Sequence, residues 1–171
     1  MEHRGAIWVR IDLQGTKINI FNTHLSLWPK EQLLQIKALL SKDWLEHPDC
    51  SGPVILCGDL NTSPNSSVYN EICKKFKDSQ LMLDGHLPSK TWFAGFPIRR
   101  IDHIFVTPEF CVNSIQVSHT ALDRLASDHL PVIAELSLEQ GLPDVGDSAM
   151  EVLICRFIQK KLWITFKIQG M

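Results

Sequence analysis

Carboxylates stand where several apolar runs of this chain begin or end. Val54-Ile55-Leu56-Cys57 leads into Gly58-Asp59-Leu60-Asn61, and Ser127-Asp128-His129 leads into Leu130-Pro131-Val132-Ile133. Between them lies Arg100-Ile101-Asp102-His103-Ile104-Phe105, and upstream lies Asn22-Thr23-His24-Leu25. Carboxylates, an amide and imidazoles at strand ends suit metal-assisted attack of water on a phosphate ester. A sheet holds such groups rigidly while their tips stay open to a ligand.

The elements that must position them follow from periodicity. Ala6–Leu13 alternates with Ile7, Val9, Ile11 and Leu13 on one face, and Lys17–Leu25 alternates with Ile18, Ile20 and Asn22 against Asn19 and Phe21. With Gln14-Gly15-Thr16 as a turn, the pair predicts a hairpin whose second strand ends at His24. Pro29–His47 predicts a helix from Pro29 in its first turn and the spacing of Leu33, Ile36, Leu40 and Trp44. Pro53–Leu60 predicts a buried strand, and Pro64 with Ser66 and Ser67 opens a short helix with Val68, Ile72 and Phe76 inward. Residues 77–98 read as irregular; Ile101–Thr107, Val112–Ser118 and Leu130–Leu138 read as strands. Hairpins mixed with strand–helix–strand units predict a mixed α/β domain with two packed sheets.

At 171 residues the chain fits one domain, and 44% hydrophobic residues suffice for a core. A net charge of -2 gives no bulk basic field for nonspecific nucleic-acid binding. Lys74, Lys75, Lys77, Arg99 and Arg100 could still form a local basic patch; the plainer reading is a solvated helix face and a strand edge. Five cysteines without CxxC spacing predict buried free thiols in a reducing compartment and no zinc site. Met1–Gly5 lacks the apolar stretch of a leader, which predicts a cytoplasmic location. Residues 139–149 read as a linker. Met150–Ile168 is apolar and basic, and its charges exclude a spanning helix. An added helix or strand over exposed core, and an interfacial membrane helix, are both open readings of that tail.

Asn-Thr-His-Leu, Gly-Asp-Leu-Asn, Arg-Ile-Asp-His-Ile-Phe and Ser-Asp-His-Leu-Pro-Val occur here in the order and approximate spacing of the endonuclease/exonuclease/phosphatase superfamily. The chain resembles that group, which includes pancreatic-type deoxyribonucleases, apurinic endonucleases, inositol-phosphate phosphatases and neutral sphingomyelinases. The resemblance covers roughly residues 4–138 and implies a four-layer α/β sandwich, present mainly as its C-terminal part. The domain division is then 1–138 for the partial sandwich and 139–171 for linker and tail. The family's earlier strand with an Asn, and the Gln-Glu motif whose Glu is a main metal ligand, do not precede Asn22.

The resemblance implies a role for each motif residue. Asp102 would hold His129, which would deprotonate water. Asp128 would be a metal ligand or lie behind one, and oxygen ligands suit Mg²⁺ or Mn²⁺. Asp59 and Asn61, two apart, share a side of an extended backbone; Asp59 would position water or metal, and Asn61 would bind metal or a phosphate oxygen. His24 would donate to the phosphate or leaving oxygen, with Asn22 assisting. His103 would point away, since neighbouring strand residues face opposite sides. Trp92, after Lys90-Thr91, would flank substrate or simply pack its loop.

The implied activity is a Mg²⁺-dependent phosphoesterase, weak or inactive without the Glu. A non-catalytic relative that keeps the fold, and a membrane-surface lipid phosphodiesterase, are the alternatives. The substrate class stays open among nucleic acid, phospholipid and inositol phosphate. A shortened sandwich also predicts uncovered strands at Val54–Leu56, Ile101–Val106 and Val132–Leu136, and with them self-association or a partly molten state, unless Met150–Ile168 folds back as a substitute cover.

Overall fold

The computed structural model describes residues 4–13, 15–138, 151–158 and 161–168. In chain order the elements are β1 (Gly5–Leu13), β2 (Thr16–His24), α1 (Pro29–Leu39), β3 (Val54–Asp59), α2 (Ser67–Ile72), β4 (Lys77–Asp78), β5 (Asp102–Val106), β6 (Phe110–Val117), α3 (Ala121–Ala126), β7 (Val132–Leu138), β8 (Glu151–Ile158) and β9 (Lys161–Ile168). They form a five-stranded sheet, β1-β2-β3-β5-β4, and a four-stranded sheet, β6-β7-β8-β9. The mixed α/β, two-sheet architecture is the one the periodicity predicts.

Alternation along the first sheet divides its side chains between two cores. Ile18, Ile20, Ile55, Cys57, Ile104 and Val106 pack towards Val112, Ile115, Val132, Ala134 and Leu136 of the second sheet. Phe21, Val54, Leu56 and Phe105 pack with Ile36, Leu39, Val68, Tyr69 and Ile72 of the helices. Each large apolar side chain so buried contributes about 1.5–3 kcal/mol.

Helix α1 stops at Leu39 rather than running to His47. Beyond it the Ser41 carbonyl accepts from both Trp44 and Glu46, so the chain turns locally instead of continuing the helix. That turn lays Trp44 near Phe21, with ring centroids 6.4 Å apart. Sequence reading missed α3 altogether. Thr120 caps it by accepting from the Asp123 N–H at 3.1 Å, and Asp123 returns a bond to the Thr120 N–H. Thr120→Ala is expected to cost about 1 kcal/mol, read as a lower urea midpoint at unchanged slope. An unmoved midpoint would show that this cap contributes nothing.

Of the open readings of the tail, the added strand is the one found: residues 151–158 and 161–168 are strands, so neither an added helix nor an interfacial one forms there; β8 pairs with β7, placing Leu153 opposite Leu136 and Phe157 opposite Val132. The reason lies in the spacing: Leu153, Cys155 and Phe157, then Leu162, Ile164 and Phe166, recur at the period of a strand. The linker at 139–149 lies outside the described residues. With β8 and β9 added beside β7, the case in which the tail folds back, the core strands are not left uncovered: Ile55, Phe105, Val106, Val132 and Leu136 are fully or almost fully buried. Exposure falls instead on the edge strand β1, at Ile7 (63%) and Val9 (42%).

Among the described residues no helix is long and apolar enough to cross a membrane. Cys50, Cys57 and Cys73 are free thiols, as expected, but of these only Cys57 is buried and Cys73 is exposed.

Candidate active site

Three strands bring their chemical residues to one end of the first sheet. His24 closes β2, Asp59 closes β3, and Asp102 opens the antiparallel β5; the ladder sets His24 opposite Asp59 and Asp59 opposite Asp102. All three sit at even steps from Ile20, Ile55 and Ile104, on the face turned to the second sheet. Gly58 makes the close approach of β2 and β3 possible. Its φ is +147°, and a Cβ there would lie 1.9 Å from the Thr23 carbonyl oxygen. His129 arrives from the segment before β7 and is bridged to Trp92.

The His129 Nδ1–H donates to Asp102 Oδ2 at 2.8 Å, inside a nearly closed site. That bond leaves Nε2 as the free ring nitrogen, 3.9 Å from Asp59 Oδ2. Asp59 Oδ2 is also 3.3 Å from His24 Nε2, while Asp59 Oδ1 accepts the Asn61 N–H at 2.9 Å. Asn61 itself takes a left-handed conformation, φ 50°, and its side-chain amide donates to the Leu25 carbonyl at 3.0 Å. Asn61 therefore fixes the loop and the Asp59 carboxylate together.

The electrostatics follow from burial beside like and unlike charge. Burial, then the neighbouring Asp102, pushes the Asp59 carboxyl up to about 6. Burial, then the Arg4 guanidinium and His129, holds His24 down at about 4. For His129 burial pulls downward, but the Asp102 hydrogen bond and the charges of Asp102, Asp59 and Asp128 outweigh it, and its pKa is raised.

Ligand atoms of Asp59, Asp102 and His129 lie within 4.8 Å of one another. Asp102 Oδ1 is buried with no hydrogen-bond partner. Two buried carboxylates in register, one with an oxygen left over, fit a hard divalent cation bound through oxygen.

Of the residues singled out in the sequence, His24, Asp59, Asp102 and His129 come together here. Asn22 lies one step inward, its amide 3.7 Å from Cys57 Sγ. Asp128 is exposed, with Oδ2 3.4 Å from the Trp92 indole N–H, so both residues form the rim. The carboxylate that converges with Asp59 is Asp102 rather than Asp128. His103 faces away, as alternation requires; its Nε2 lies 2.9 Å from the Thr62 carbonyl in the helical layer. Arg4 is the residue that sequence reading missed. Its guanidinium contacts both ring nitrogens of His24, at 2.9 Å for Nδ1. The signal was available in the hairpin: pairing from Leu13–Thr16 outward ends with Gly5 opposite His24, which leaves Arg4 beside it.

The resemblance extends to known proteins. The Escherichia coli K12 protein YbhP is 27% identical over 143 residues, which is 80% of this chain and 54% of that one. The chain thus spans about half the length of the curated relatives it matches. Among solved structures, an endonuclease/exonuclease/phosphatase from Bacteroides vulgatus superposes with a TM-score of 0.69 at 25% identity, covering 80% of this chain and 56% of that one. A mannosyl-6-phosphatase of Bacteroides thetaiotaomicron superposes with a TM-score of 0.67 at 26% identity, covering 78% and 56%. The catalytic domain of human nocturnin, 21% identical with a TM-score of 0.65 over 79% of this chain and 53% of that one, shares the fold. A sequence profile of the Endonuclease/Exonuclease/phosphatase family matches residues 2–129. With its strand-end motifs, its fold and that match, the chain belongs to the endonuclease/exonuclease/phosphatase family.

Proposed function

We propose that this centre hydrolyses phosphate esters by attack of a water molecule held between His129 and Asp59. The observation that carries the reading is the Asp102–His129 hydrogen bond, which leaves the opposite ring nitrogen facing Asp59. Asp102 fixes the tautomer and stabilises the imidazolium. His129 Nε2 takes the proton of the water as its oxygen forms the new bond to phosphorus. The ester P–O bond breaks, and the leaving oxygen receives a proton, for which a ring N–H of neutral His24 is the nearest candidate donor. Asp59, ionised above its pKa of about 6, orients the water.

Asp59 and Asp102 would hold a divalent cation, Mg²⁺ or Mn²⁺, with Asp128 and Asn61 at its margin; bound there, it would neutralise charge on the phosphate oxygens. The 26% identical mannosyl-6-phosphatase favours a small-molecule phosphate ester as substrate.

The test is release of p-nitrophenol from p-nitrophenyl phosphate and from its bis ester with Mg²⁺ or Mn²⁺. Turnover that EDTA abolishes is expected. No turnover with either cation, or turnover indifferent to EDTA, would overturn the reading.

A further inference from the structure

Asp102 and His129 do not sit on neighbouring strands. Residues 91–94 run between their segments and bond to both. On one side the Leu130 N–H donates to the Thr91 carbonyl at 2.8 Å and the Ala94 N–H to the Asp128 carbonyl at 2.7 Å, which holds His129 opposite Trp92. On the other side the Trp92 and Arg99 backbones exchange hydrogen bonds at 2.9 and 2.7 Å. Nearer Asp102 a side chain takes over. The Thr91 hydroxyl accepts from the Ile101 N–H and from the Asp102 N–H, each at 3.3 Å.

The need for that hydroxyl follows from the ladder. The Leu60 N–H donates to the Ile101 carbonyl at 2.9 Å, so Asp59 and Asp102 face each other as a pair that exchanges no hydrogen bond. The Asp102 N–H therefore points away from β3. Among the described residues β4 pairs with β5 only at Phe105 and Val106, so its strand does not reach Asp102. Asp102 is buried, and a buried N–H without a partner is costly. Thr91 is fully buried as well, and its β-branched side chain has few rotamers, so its oxygen stays aimed.

We propose that Thr91 is a positioning residue of the Asp102–His129 pair: its hydroxyl sets the backbone of the acceptor, and its carbonyl sets the backbone next to the donor. Two segments tied to one residue cannot drift apart, which keeps the His129 Nδ1–H on Asp102 and Nε2 towards Asp59. The effect on rate rests on the phosphoesterase reading, but the geometry is independent of turnover.

The test is Thr91→Val, which keeps the shape and removes the acceptor. Long-range ¹⁵N–¹H spectra of the histidine rings, taken at a pH above the His129 titration, report which nitrogen carries the proton. In the parent chain the proton is expected on Nδ1 of His129, the signal being assigned by its loss in His129→Ala. In Thr91→Val that form should give way to a mixture with the proton on Nε2. With p-nitrophenyl phosphate, kcat should fall about 10- to 100-fold at little changed KM. Thr91→Ser, which keeps the hydroxyl, should restore both readouts. Ile36→Val, which loosens the core of the helical layer, should lower stability and move neither. Should Thr91→Val not fold, Thr91→Cys, with sulfur as a weaker acceptor, carries the same expectation in lesser degree. An unmoved tautomer, an unmoved kcat in a chain that turns over, or a Thr91→Ser chain as impaired as Thr91→Val would each overturn the positioning role. Should the parent hydrolyse nothing, the phosphoesterase reading fails by itself, and the tautomer in Thr91→Val still decides this one.

Discussion

Gly58→Ala is expected to cost a large share of the stability of this chain, about 2–6 kcal/mol. The added Cβ would meet the Thr23 carbonyl oxygen at 1.9 Å and the Thr23 carbonyl carbon at 2.9 Å. Both are backbone atoms of the paired strand, so no side-chain rotation relieves the contact. The backbone at φ +147° is also a conformation that L side chains rarely adopt. Strain of that kind costs about 1–3 kcal/mol, and overpacking a closed interior costs about 1–3 kcal/mol more. A domain of this size has only about 5–15 kcal/mol in total. Gly85→Ala is the control: φ is +75° there, but nothing lies within 4 Å. Its cost should be the conformational one alone, about 1–2 kcal/mol. Urea melts of the two variants side by side check this. A Gly58→Ala chain that melts with the Gly85→Ala chain would mean that β2 and β3 can separate there without penalty.

His129→Ala should lower kcat/KM for a phosphate diester by about 10²–10⁴-fold, the usual contribution of a placed general base. The pH profile carries more detail. A base works only when deprotonated, and the His129 pKa is raised, with the Asp102 bond and the Asp102, Asp59 and Asp128 charges outweighing burial. Activity should therefore rise with pH through a limb above the ordinary histidine value of about 6.5. Asp102→Asn removes one full negative charge and weakens the acceptor. The limb should then move towards acid while the plateau falls. A limb that moves towards alkali, or a variant as active as the parent, would exclude His129 as the group that titrates.

Much of the site was readable because its residues lie at strand ends with period-two neighbours. Ile18, Ile20 and Asn22 announce the face on which His24 must fall, and Asp59 with Asp102 follow from the same alternation. Local patterns do not reveal partners supplied across the fold. The buried group of Tyr69, Asp78, Arg100 and His103 draws on three separate segments, and nothing near Tyr69 or Asp78 signals the rest. In that group Asp78 falls to about 2: burial alone would raise it, but the nearby His103 ring and the Arg100 charge prevail. Helix α3 escaped for another reason. With Leu122 and Leu125 exposed, its six residues carry no amphipathic period, and only the Thr120–Asp123 cap marks it. The end of α1 was misplaced because Leu40 and Trp44 do pack on the core at helical spacing, although the chain between them is not helical.

The side-by-side placement of Asp102 and His103 bears on how the gene can change. Asp102 belongs to the His129 side of β5, and His103 to the layer of Tyr69 and Asp78. Consecutive strand residues alternate, so a one-codon deletion or insertion within 102–106 would exchange the two surroundings for every residue beyond it. An imidazole would enter the place of the carboxylate, and Ile104 would trade cores with Phe105. Such an in-frame length change destroys both layers at once, whereas a point substitution disturbs only one. Along this strand a lineage can therefore explore alphabet but not length. Loops such as 83–90, which sit outside both ladders, are where codons can be gained and lost.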